Sequence, residues 1–530
     1  VHDNSVLPCQ CANSTFTDKH HQHIISGDLR LIQNNKLRKL FAKGPKYRES
    51  KFLNWDSVEK TLIELVKNCA KVWSEKNRKS EKYLRPWVAT VTEKIKNKVS
   101  FLKASRPPRN VREVLKNREC MIALEELKSK FVIVPIDKAS GNVAFVCKRF
   151  YALVLIKELG LDKELGSATY ENIEQNNINE IVKQQTDDLQ VKFHLKVPTE
   201  SKLLPHIYWL PKLHKNPVKF RFIIAAPNCS VKPLSKAITK IFKLFYKQIE
   251  TYNDKSLHYS SIKTFWVIQN NENVIKSIEK LNSRNSAKSI KTYDFSTLYT
   301  KIPHQKLLDV LSELVDFCFQ GGTHEQISVS NSGASWDSKK KKAILKFDRN
   351  TTKDAIKYIM DNCHFTFGEK LFRQIVGIPM GSDPAPFMAN LFLYYFENKW
   401  VKNLKKESLQ RARRFLHTFR FIDDLLTIND NDEFSNSYKE IYSPELQLNL
   451  EHSGDQVSFL DLQITKENGH LNTKLFDKRD EFPFSIVRLP FNSSNIPSNM
   501  FYSCIGAEIL RIGRVCSSTD SFILSCRTLI

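Results

Sequence analysis

Apolar and polar positions follow two different periods along this chain, and together they predict a mixed α+β fold. In residues 30–130 apolar side chains recur at helical spacing, most clearly over residues 55–73. An amphipathic helix with lysines on one side is predicted over residues 234–250, and an apolar helix over residues 387–396. The N-terminal region is therefore predicted to be mainly helical.

Strands are predicted where short apolar runs alternate with polar residues or are bounded by turn residues. These runs lie at residues 131–135, 143–146, 207–210, 219–226, 365–372, 419–428 and 457–464. Most of them are close neighbours in sequence, which favours antiparallel hairpins. Residues 319–350 are polar and irregular, with a Ser/Asn-rich run and a lysine run, and are predicted to form a loop inserted within a domain.

The chain is strongly basic. It has 530 residues, with 82 Lys and Arg against 57 Asp and Glu, for a net charge of +25. Residues 1–150 carry +16 of this charge, counted on the printed sequence. Such an excess favours a polyanionic partner, and nucleic acid is the leading candidate; a solvated basic surface is the alternative. The 41% hydrophobic content and the length allow several domains.

The 11 cysteines have no regular spacing and lie mostly in apolar runs, which indicates buried thiols in a reducing, intracellular compartment. No run approaches the ~18 apolar residues of a membrane span, and the polar start has no secretory signal. Near that start, Cys9, Cys11, His20 and His23 offer ligands for Zn²⁺, although Cys-x-Cys is not the usual spacing. The alternative is a flexible leader.

The most informative motif is Phe-Ile-Asp-Asp at residues 421–424, where apolar runs flank two adjacent carboxylates. The pattern predicts a strand, a tight turn and a second strand. Like charges at such a turn are tolerated in solvent, or when a divalent cation neutralises them. A pair of Mg²⁺ ions held by carboxylates is how polymerases activate a 3′-hydroxyl and stabilise the leaving pyrophosphate. An ordinary exposed turn is the alternative interpretation.

Asp294 ends another short predicted strand and offers a third carboxylate, although Asp is also a common helix N-cap. Tyr299 follows five residues later and could form the floor of a nucleotide pocket, leaving little room for a 2′-hydroxyl. An ordinary core aromatic is the alternative for Tyr299.

The loop at residues 377–382 precedes the apolar helix, and its two glycines permit close approach of the backbone to a ligand. The following helix N-terminus favours phosphate; a plain turn is the alternative. Lys212 and Arg221, on neighbouring predicted strands, could grip a triphosphate or a template, or could be ordinary surface charge. The strand at residues 457–464 either supports a primer end or closes the sheet.

In this order, the segments resemble the motifs of the reverse transcriptase family. Asp294 with Tyr299 resembles the first palm motif, residues 377–382 the nucleotide-binding loop and residues 421–424 the aromatic-x-Asp-Asp turn. The sequences Asp-Phe-Ser-Thr-Leu-Tyr-Thr-Lys-Ile-Pro-His, Leu-Pro-Lys-Leu-His-Lys and Ser-Phe-Leu-Asp narrow the resemblance to Penelope-like retroelements, a branch related to telomerase. The resemblance covers roughly residues 130–515.

The resemblance implies an α+β right-hand polymerase with an antiparallel palm sheet and a basic helical N-terminal region. The expected parts are a Cys/His leader (1–29), a basic helical region (30–130), fingers (131–260), palm with the insertion near 319–350 (261–480) and a truncated thumb (481–530). For the basic helical region, RNA binding is the favoured interpretation and a solvated helical cap is the alternative. Two departures stand out. Met380 replaces a common Gln, and Asp383 lies where an uncharged residue is commoner. A GIY-YIG endonuclease, frequent in the family, is not expected here.

The resemblance also implies RNA-directed DNA synthesis with two Mg²⁺ ions, for which Mn²⁺ is the expected substitute. The expected metal site comprises Asp294, Asp423, Asp424 and the backbone carbonyl of Phe295. The expected nucleotide site comprises Lys212, Arg221, Tyr299, Gly381 and Ser382. The expected partners are an RNA template, a DNA primer and deoxynucleoside triphosphates, with no membrane, and the expected location is the nucleus. An RNA-dependent RNA polymerase and an inactive nucleic-acid-binding remnant remain as alternatives.

Overall fold

The computed structural model describes residues 24–26, 29, 32–49, 55–77, 80–105, 114–162, 166–173, 177–201, 203–320, 325–337, 345–379, 381–491 and 493–528. The four predicted zinc ligands, Cys9, Cys11, His20 and His23, lie outside these residues, as does Met380. Within the described ranges, no helix has the combination of length and apolar character that crossing a bilayer requires.

The α-helices of the described residues are α1 (Asn35–Ala42), α2 (Trp55–Asn77), α3 (Arg85–Ser105), α4 (Arg118–Lys130), α5 (Lys148–Glu158), α6 (Ile178–Phe193), α7 (Lys232–Ser260), α8 (Glu272–Asn282), α9 (Leu298–Lys301), α10 (His304–Gln320), α11 (Arg349–Asp361), α12 (Ala385–Glu407), α13 (Leu409–Arg413), α14 (Glu433–Ile441), α15 (Ser498–Val515) and α16 (Thr519–Arg527).

The strands of the same residues are β1 (Ile24–Ser26), β2 (Phe131–Ile136), β3 (Ala139–Cys147), β4 (Tyr170–Ile173), β5 (His206–Lys212), β6 (Lys219–Ala225), β7 (Ile290–Phe295), β8 (Gln326–Val329), β9 (Ala334–Trp336), β10 (Leu345–Asp348), β11 (His364–Phe367), β12 (Lys370–Gln374), β13 (Thr418–Phe421), β14 (Asp424–Ile428), β15 (Leu448–Ser453), β16 (Gln456–Phe459), β17 (Leu462–Glu467) and β18 (His470–Leu475).

The chain divides into two compact units. The first comprises the described parts of Val1–Pro135, Ala139–Cys147 and Phe484–Gly506, and the second those of Ile136–Lys138, Lys148–Pro483 and Ala507–Ile530. In the first unit the sheet order is β1-β3-β2. Helices α1 and α4 contribute to its small core, in which Leu37 and Phe145 are fully buried.

The second unit is built on two larger sheets. One has the order β13-β14-β7-β15, and every neighbouring pair in it is antiparallel. The other has the order β4-β12-β11-β5-β6, in which the only parallel pair within the described strands is β11 with β5. The predicted hairpins at residues 207–226, 365–372 and 419–428 are therefore all present.

Strand β14 of the four-stranded sheet is buried on both faces, so its residues alternate between two apolar cores. Leu425 and Tyr293 belong to the core that includes α7, α10 and α12. Leu426 and Ile428, one position out of phase with Leu425, belong to a second core with α8 and β16–β18. This double burial accounts for the nearly continuous apolar sequence of β14.

Two sequence-based expectations differ from the structure. Residues 319–350 were expected to be an irregular loop, but the described part contains a three-stranded sheet with the order β10-β8-β9. Its strands have only three or four residues each, too few for a periodic signal. Residues 457–464 do not close the four-stranded sheet. They belong to a separate sheet of order β16-β17-β18.

An arginine lies in the centre of the second unit with no exposure to solvent. The Nε atom of Arg420 donates to Glu397 Oε1 at 2.5 Å, and one Nη donates to Glu397 Oε2 at 3.0 Å. Arg420 also donates to Asn390 Oδ1 at 2.8 Å and to the carbonyl oxygen of Ile422 at 3.0 Å. The hydroxyl of Tyr442 donates to Glu397 at 2.8 Å. Both charges are therefore paired and hydrogen-bonded, as burial requires.

Replacement of Arg420 by Ala should lower the free energy of unfolding by about 3–5 kcal/mol, because it leaves the Glu397 carboxylate buried without its partner. Urea denaturation followed by circular dichroism would measure the loss. Lys276→Ala, which removes an exposed ion pair with Glu272, is the control and should leave the midpoint near the wild-type value. A loss for Arg420→Ala no larger than that of the control would contradict the structural role of this pair.

Candidate active site

Three carboxylates converge at one end of the four-stranded sheet. Asp294 of β7 lies directly opposite Asp424 of β14 in the antiparallel register, and opposite Asn449 of β15 on its other side. Asp294 shares a sheet face with Ile290, and Asp424 shares it with Leu426. On this face, apolar side chains lie along the strands and the two carboxylates lie at the strand ends. This register sets Asp294 beside the Asp-Asp turn.

Asp423 lies in the two-residue turn that joins β13 to β14. Ile422, the other turn residue, has a φ of +56°, a left-handed conformation that is rare for a β-branched side chain. The turn is held from two sides: Arg420 donates to the Ile422 carbonyl, and the N–H of Phe295 donates to the Asp423 carbonyl at 3.1 Å. Backbone strain of this kind persists only where neighbours fix it, and it is frequent at functional sites.

The carboxylates repel one another, and burial adds to the effect. Burial, then the charge of Asp423, raises the pKa of Asp424 to about 7. Burial, then Asp423 and Glu451, also raises the pKa of Asp294. Lys478 acts in the opposite direction on both groups. The site therefore has a deficit of positive charge, which a bound cation would relieve.

The donor chemistry of the acidic cluster suits a hard cation such as Mg²⁺. Among the described residues, no three His, Cys, Asp or Glu side chains are grouped closely enough to hold a metal ion by themselves. Mg²⁺, however, is usually bound by one or two carboxylates together with water and substrate phosphates. Carboxylate oxygens of Asp294, Asp423 and Asp424, with the adjoining carbonyl of Phe295, are the hard donors that such an ion prefers.

Tyr299 lies beside this cluster, in α9. Burial raises the pKa of its hydroxyl to about 12, with a further increase from Asp423 and an opposing effect from Arg221. The side chain packs partly against the larger apolar core. Tyr299 is therefore within electrostatic range of both the Asp-Asp turn and the β5–β6 hairpin, a position consistent with the floor of a nucleotide pocket.

The two glycines of the predicted nucleotide loop lie close to the protein's own backbone. A Cβ on Gly377 would lie 2.3 Å from the Tyr299 carbonyl oxygen, and a Cβ on Gly381 would lie 2.0 Å from the Ile224 carbonyl oxygen. Both have positive φ, at +93° and +81°. The glycines thus let the loop dock on α9 and β6, and their close approach to a ligand stays a prediction.

The polar residues of the loop are also occupied within the protein. The Ser382 hydroxyl donates to the Pro379 carbonyl at 2.8 Å. Asp383, one of the two departures from the family pattern, accepts from Lys232 at 2.9 Å, and both side chains are mostly buried. These contacts fix the loop, and Ser382 would reach a nucleotide only by exchanging its partner.

The predicted cations are on one face of the β5–β6 hairpin. Arg221 pairs with Leu210 and Lys219 pairs with Lys212, so all three cations share the face opposite the buried Trp209. Burial, together with Arg221 and Lys138, lowers the pKa of Lys212, whereas Asp137 and Asp294 raise it. The electrostatic link to Asp294 places this basic face close to the carboxylates.

Asp461 has a structural role. Its carboxylate accepts from Asn271 at 2.5 Å and from Arg511 at 2.9 Å, so it ties the β16–β17 turn to α8 and α15. Both carboxylate oxygens have protein donors, and the segment is held by them in a sheet of its own. These contacts indicate that Asp461, in the Ser-Phe-Leu-Asp sequence, holds the β16–β17 turn to the neighbouring helices.

Sequence reasoning missed a fourth acid near the cluster. Glu451 lies where the β15–β7 register shifts between Leu450 and His452, and its charge raises the pKa of Asp294 and of Asp424. A β-bulge often redirects side chains beside an active site. The alternation of polar and apolar residues in β15 carries no sign of the bulge, so Glu451 could not be found from the sequence pattern.

Comparison with protein-family models and with curated protein sequences finds no match. Solved structures do match. Telomerase from Candida albicans, in complex with a TWJ fragment of telomeric RNA, is 12% identical over 80% of this chain and 69% of that chain, with a TM-score of 0.51. Two Candida tropicalis telomerase structures have lower scores. One, with the same kind of RNA fragment, is 10% identical over 84% of this chain and 63% of that chain, with a TM-score of 0.45.

The second, an apo form truncated from the C-terminal domain, is 9% identical over 74% of this chain and 70% of that chain, with a TM-score of 0.44. The fold assignment depends on the Candida albicans structure alone. It shows that the chain shares the fold of that telomerase structure, and the predicted α+β class with antiparallel sheets is confirmed.

Replacement of Gly381 by Ala should destabilise the protein by about 1–3 kcal/mol more than Gly368→Ala, because the new methyl group overlaps the Ile224 backbone. Gly368 is the matched control, since its φ is also positive, at +60°, but a Cβ there has nothing within 4 Å. Thermal and urea unfolding of both variants would measure the difference. Equal losses would show that the close docking of the loop on β6 is not needed.

Proposed function

We propose that this chain is an RNA-directed DNA polymerase. The single observation that carries the proposal is the register of β7 and β14, which sets Asp294 against Asp424 with Asp423 in the adjoining turn. The basic face of β5–β6 and the aromatic Tyr299 lie within electrostatic range of this cluster. Acidic groups for a cation, basic groups for a triphosphate and an aromatic between them are the parts that nucleotidyl transfer needs.

The proposed context is a Penelope-like retroelement acting in the nucleus, with an RNA template, a DNA primer and deoxynucleoside triphosphates. Support comes from the three segments that resemble this branch, at residues 210–215, 294–304 and 458–461. In the structure the first lies on β5 and its following turn, the second runs from the end of β7 through α9, and the third forms the β16–β17 turn. The net charge of +25 suits a nucleic-acid partner.

The proposed metal ligands are Asp294, Asp423, Asp424 and the carbonyl of Phe295. Bound Mg²⁺ would supply positive charge for the triphosphate and would lower the pKa of the primer hydroxyl. The residues of the chain fix the geometry: Arg420 and Phe295 hold the turn, so the carboxylates do not need to reorganise when substrate binds. Arg221 and Lys212 would draw the triphosphate toward the carboxylates.

Replacement of Asp423 by Asn should lower primer extension on an RNA template by at least about 100-fold, since it removes one of the charges that hold the cation. The measurement is incorporation of deoxynucleotides with Mg²⁺, and separately with Mn²⁺. Asp455→Asn is the matched control, because Asp455 is an exposed acid paired with Lys466, and extension should be unchanged.

Two results would contradict the proposal. Undiminished extension by Asp423→Asn would exclude the carboxylate site. Salt-dependent RNA binding without any extension by the wild-type protein would favour the alternative of an inactive nucleic-acid-binding remnant.

Replacement of Tyr299 by Ala should raise the use of ribonucleotides relative to deoxynucleotides by about 10-fold or more, because it opens space for the 2′-hydroxyl. The measurement is the ratio of kcat/KM for ribo- and deoxynucleotides on one primer and template. Tyr299→Phe keeps the ring and should keep the wild-type ratio. A wild-type protein that prefers ribonucleotides would instead identify an RNA-dependent RNA polymerase.

A further inference from the structure

Asp137 is a buried acid at the edge of the basic face of β5–β6. It lies in the turn between β2 and β3, and its side chain is only 6% exposed. Its backbone N–H donates to the Pro211 carbonyl at 3.1 Å, which docks the turn onto β5. Its Oδ1 atom accepts from Arg221 Nη1 at 3.1 Å.

The pair is asymmetric, because the arginine side chain is 52% exposed while the acid is buried. An ion pair with one exposed partner adds little to stability. It does, however, restrict the planar guanidinium. The other N–H groups of Arg221 have no hydrogen-bond partner among the residues that the structure describes, so they can bind an anion bidentately. The geometry therefore suits orientation of Arg221 more than stabilisation of the fold.

Several cations lie near Asp137. Lys138 adjoins it, Lys212 and Lys219 share the sheet face of Arg221, and Lys215 follows β5. Within the described residues, the Oδ2 atom of Asp137 is buried and accepts no hydrogen bond. Half of the carboxylate is thus available to a second donor, and an unpaired buried acceptor is costly unless one arrives. Lys212 is half-buried and within electrostatic range of Asp137.

We propose that Asp137 is a positioning residue for the triphosphate of the incoming nucleotide. It holds Arg221 toward the anion through Oδ1, and its free Oδ2 receives the Lys212 amine when the triphosphate binds. The identity of the natural ligand rests on the proposed polymerase function. The anion site itself is inferred from the residues of the β5–β6 hairpin. Asp137 contacts no reacting atom in this scheme and acts only through the two cations.

The first test is a double-mutant cycle of Asp137→Asn and Arg221→Gln, read by steady-state primer extension. Asp137→Asn should raise the nucleotide KM about 10-fold while kcat changes less than about 2-fold, because only binding of the triphosphate weakens. The double variant should be no worse than Arg221→Gln alone, since the two residues act as one unit. Asp137→Glu, which keeps the charge, should recover part of the loss.

The matched control is Glu171→Gln. Glu171 is also the acidic partner of an arginine, and it lies 2.7 Å from Arg373. It is in β4, at the edge of the five-stranded sheet opposite to β6, which carries Arg221. Its replacement should leave the nucleotide KM unchanged. A rise in KM equal to that of Asp137→Asn would show a general effect on the sheet and would overturn the proposal.

The second test uses inorganic tripolyphosphate, with binding measured by calorimetry on the full chain. Asp137→Asn should weaken binding about 10-fold with no change in the thermal midpoint. If the wild-type protein binds tripolyphosphate in this Asp137-dependent way yet extends no primer, the polymerase proposal fails and the positioning role stands. Unchanged tripolyphosphate binding, additive effects in the cycle, or a fall in kcat with a lower thermal midpoint would each overturn the positioning role.

Discussion

The buried charge of Arg420 imposes the strictest constraint on this structure. A guanidinium without access to water must have all its main donors satisfied. Here the acceptors come from Glu397 and Asn390 of α12 and from the carbonyl of Ile422. The same charge therefore determines where α12 crosses the sheet and how the Asp-Asp turn is held. Since α12 begins just after the 377–382 loop, the carboxylates and the loop share one anchor.

In the second unit, acidic and basic side chains lie on different elements around this anchor. The four-stranded sheet presents acids at the ends of β7 and β14, whereas the β5–β6 hairpin presents cations on its open face. Opposite charges also act on each group: Lys478 acts on the acids, and Asp137 acts on the cations. Like charges that lie close together repel, so these opposite charges limit the repulsion while each surface keeps its sign.

The sequence predicted those features that depend on local periodicity. The hairpin of residues 419–428 and the strand ending at Asp294 follow from apolar runs, and the ordered motifs gave the correct pairing of distant carboxylates. Contacts between residues far apart in sequence carry no such signal. Asp137 and Arg221 are 84 positions apart, and Arg420 and Glu397 are 23 apart. The short strands β8–β10 and the bulge at Glu451 were missed because each is too brief to set a period.

Gly381 has a mechanical consequence. Its missing side chain lets the loop rest on the Ile224 carbonyl with no slack between the two backbones. Ile224 belongs to β6, the strand that carries Arg221. A rotation of the β5–β6 hairpin toward the loop would be opposed by steric overlap of the two backbones, and a rotation away would break the contact. The positions of the hairpin and the loop are therefore coupled, so that displacement of either one is transmitted to the other.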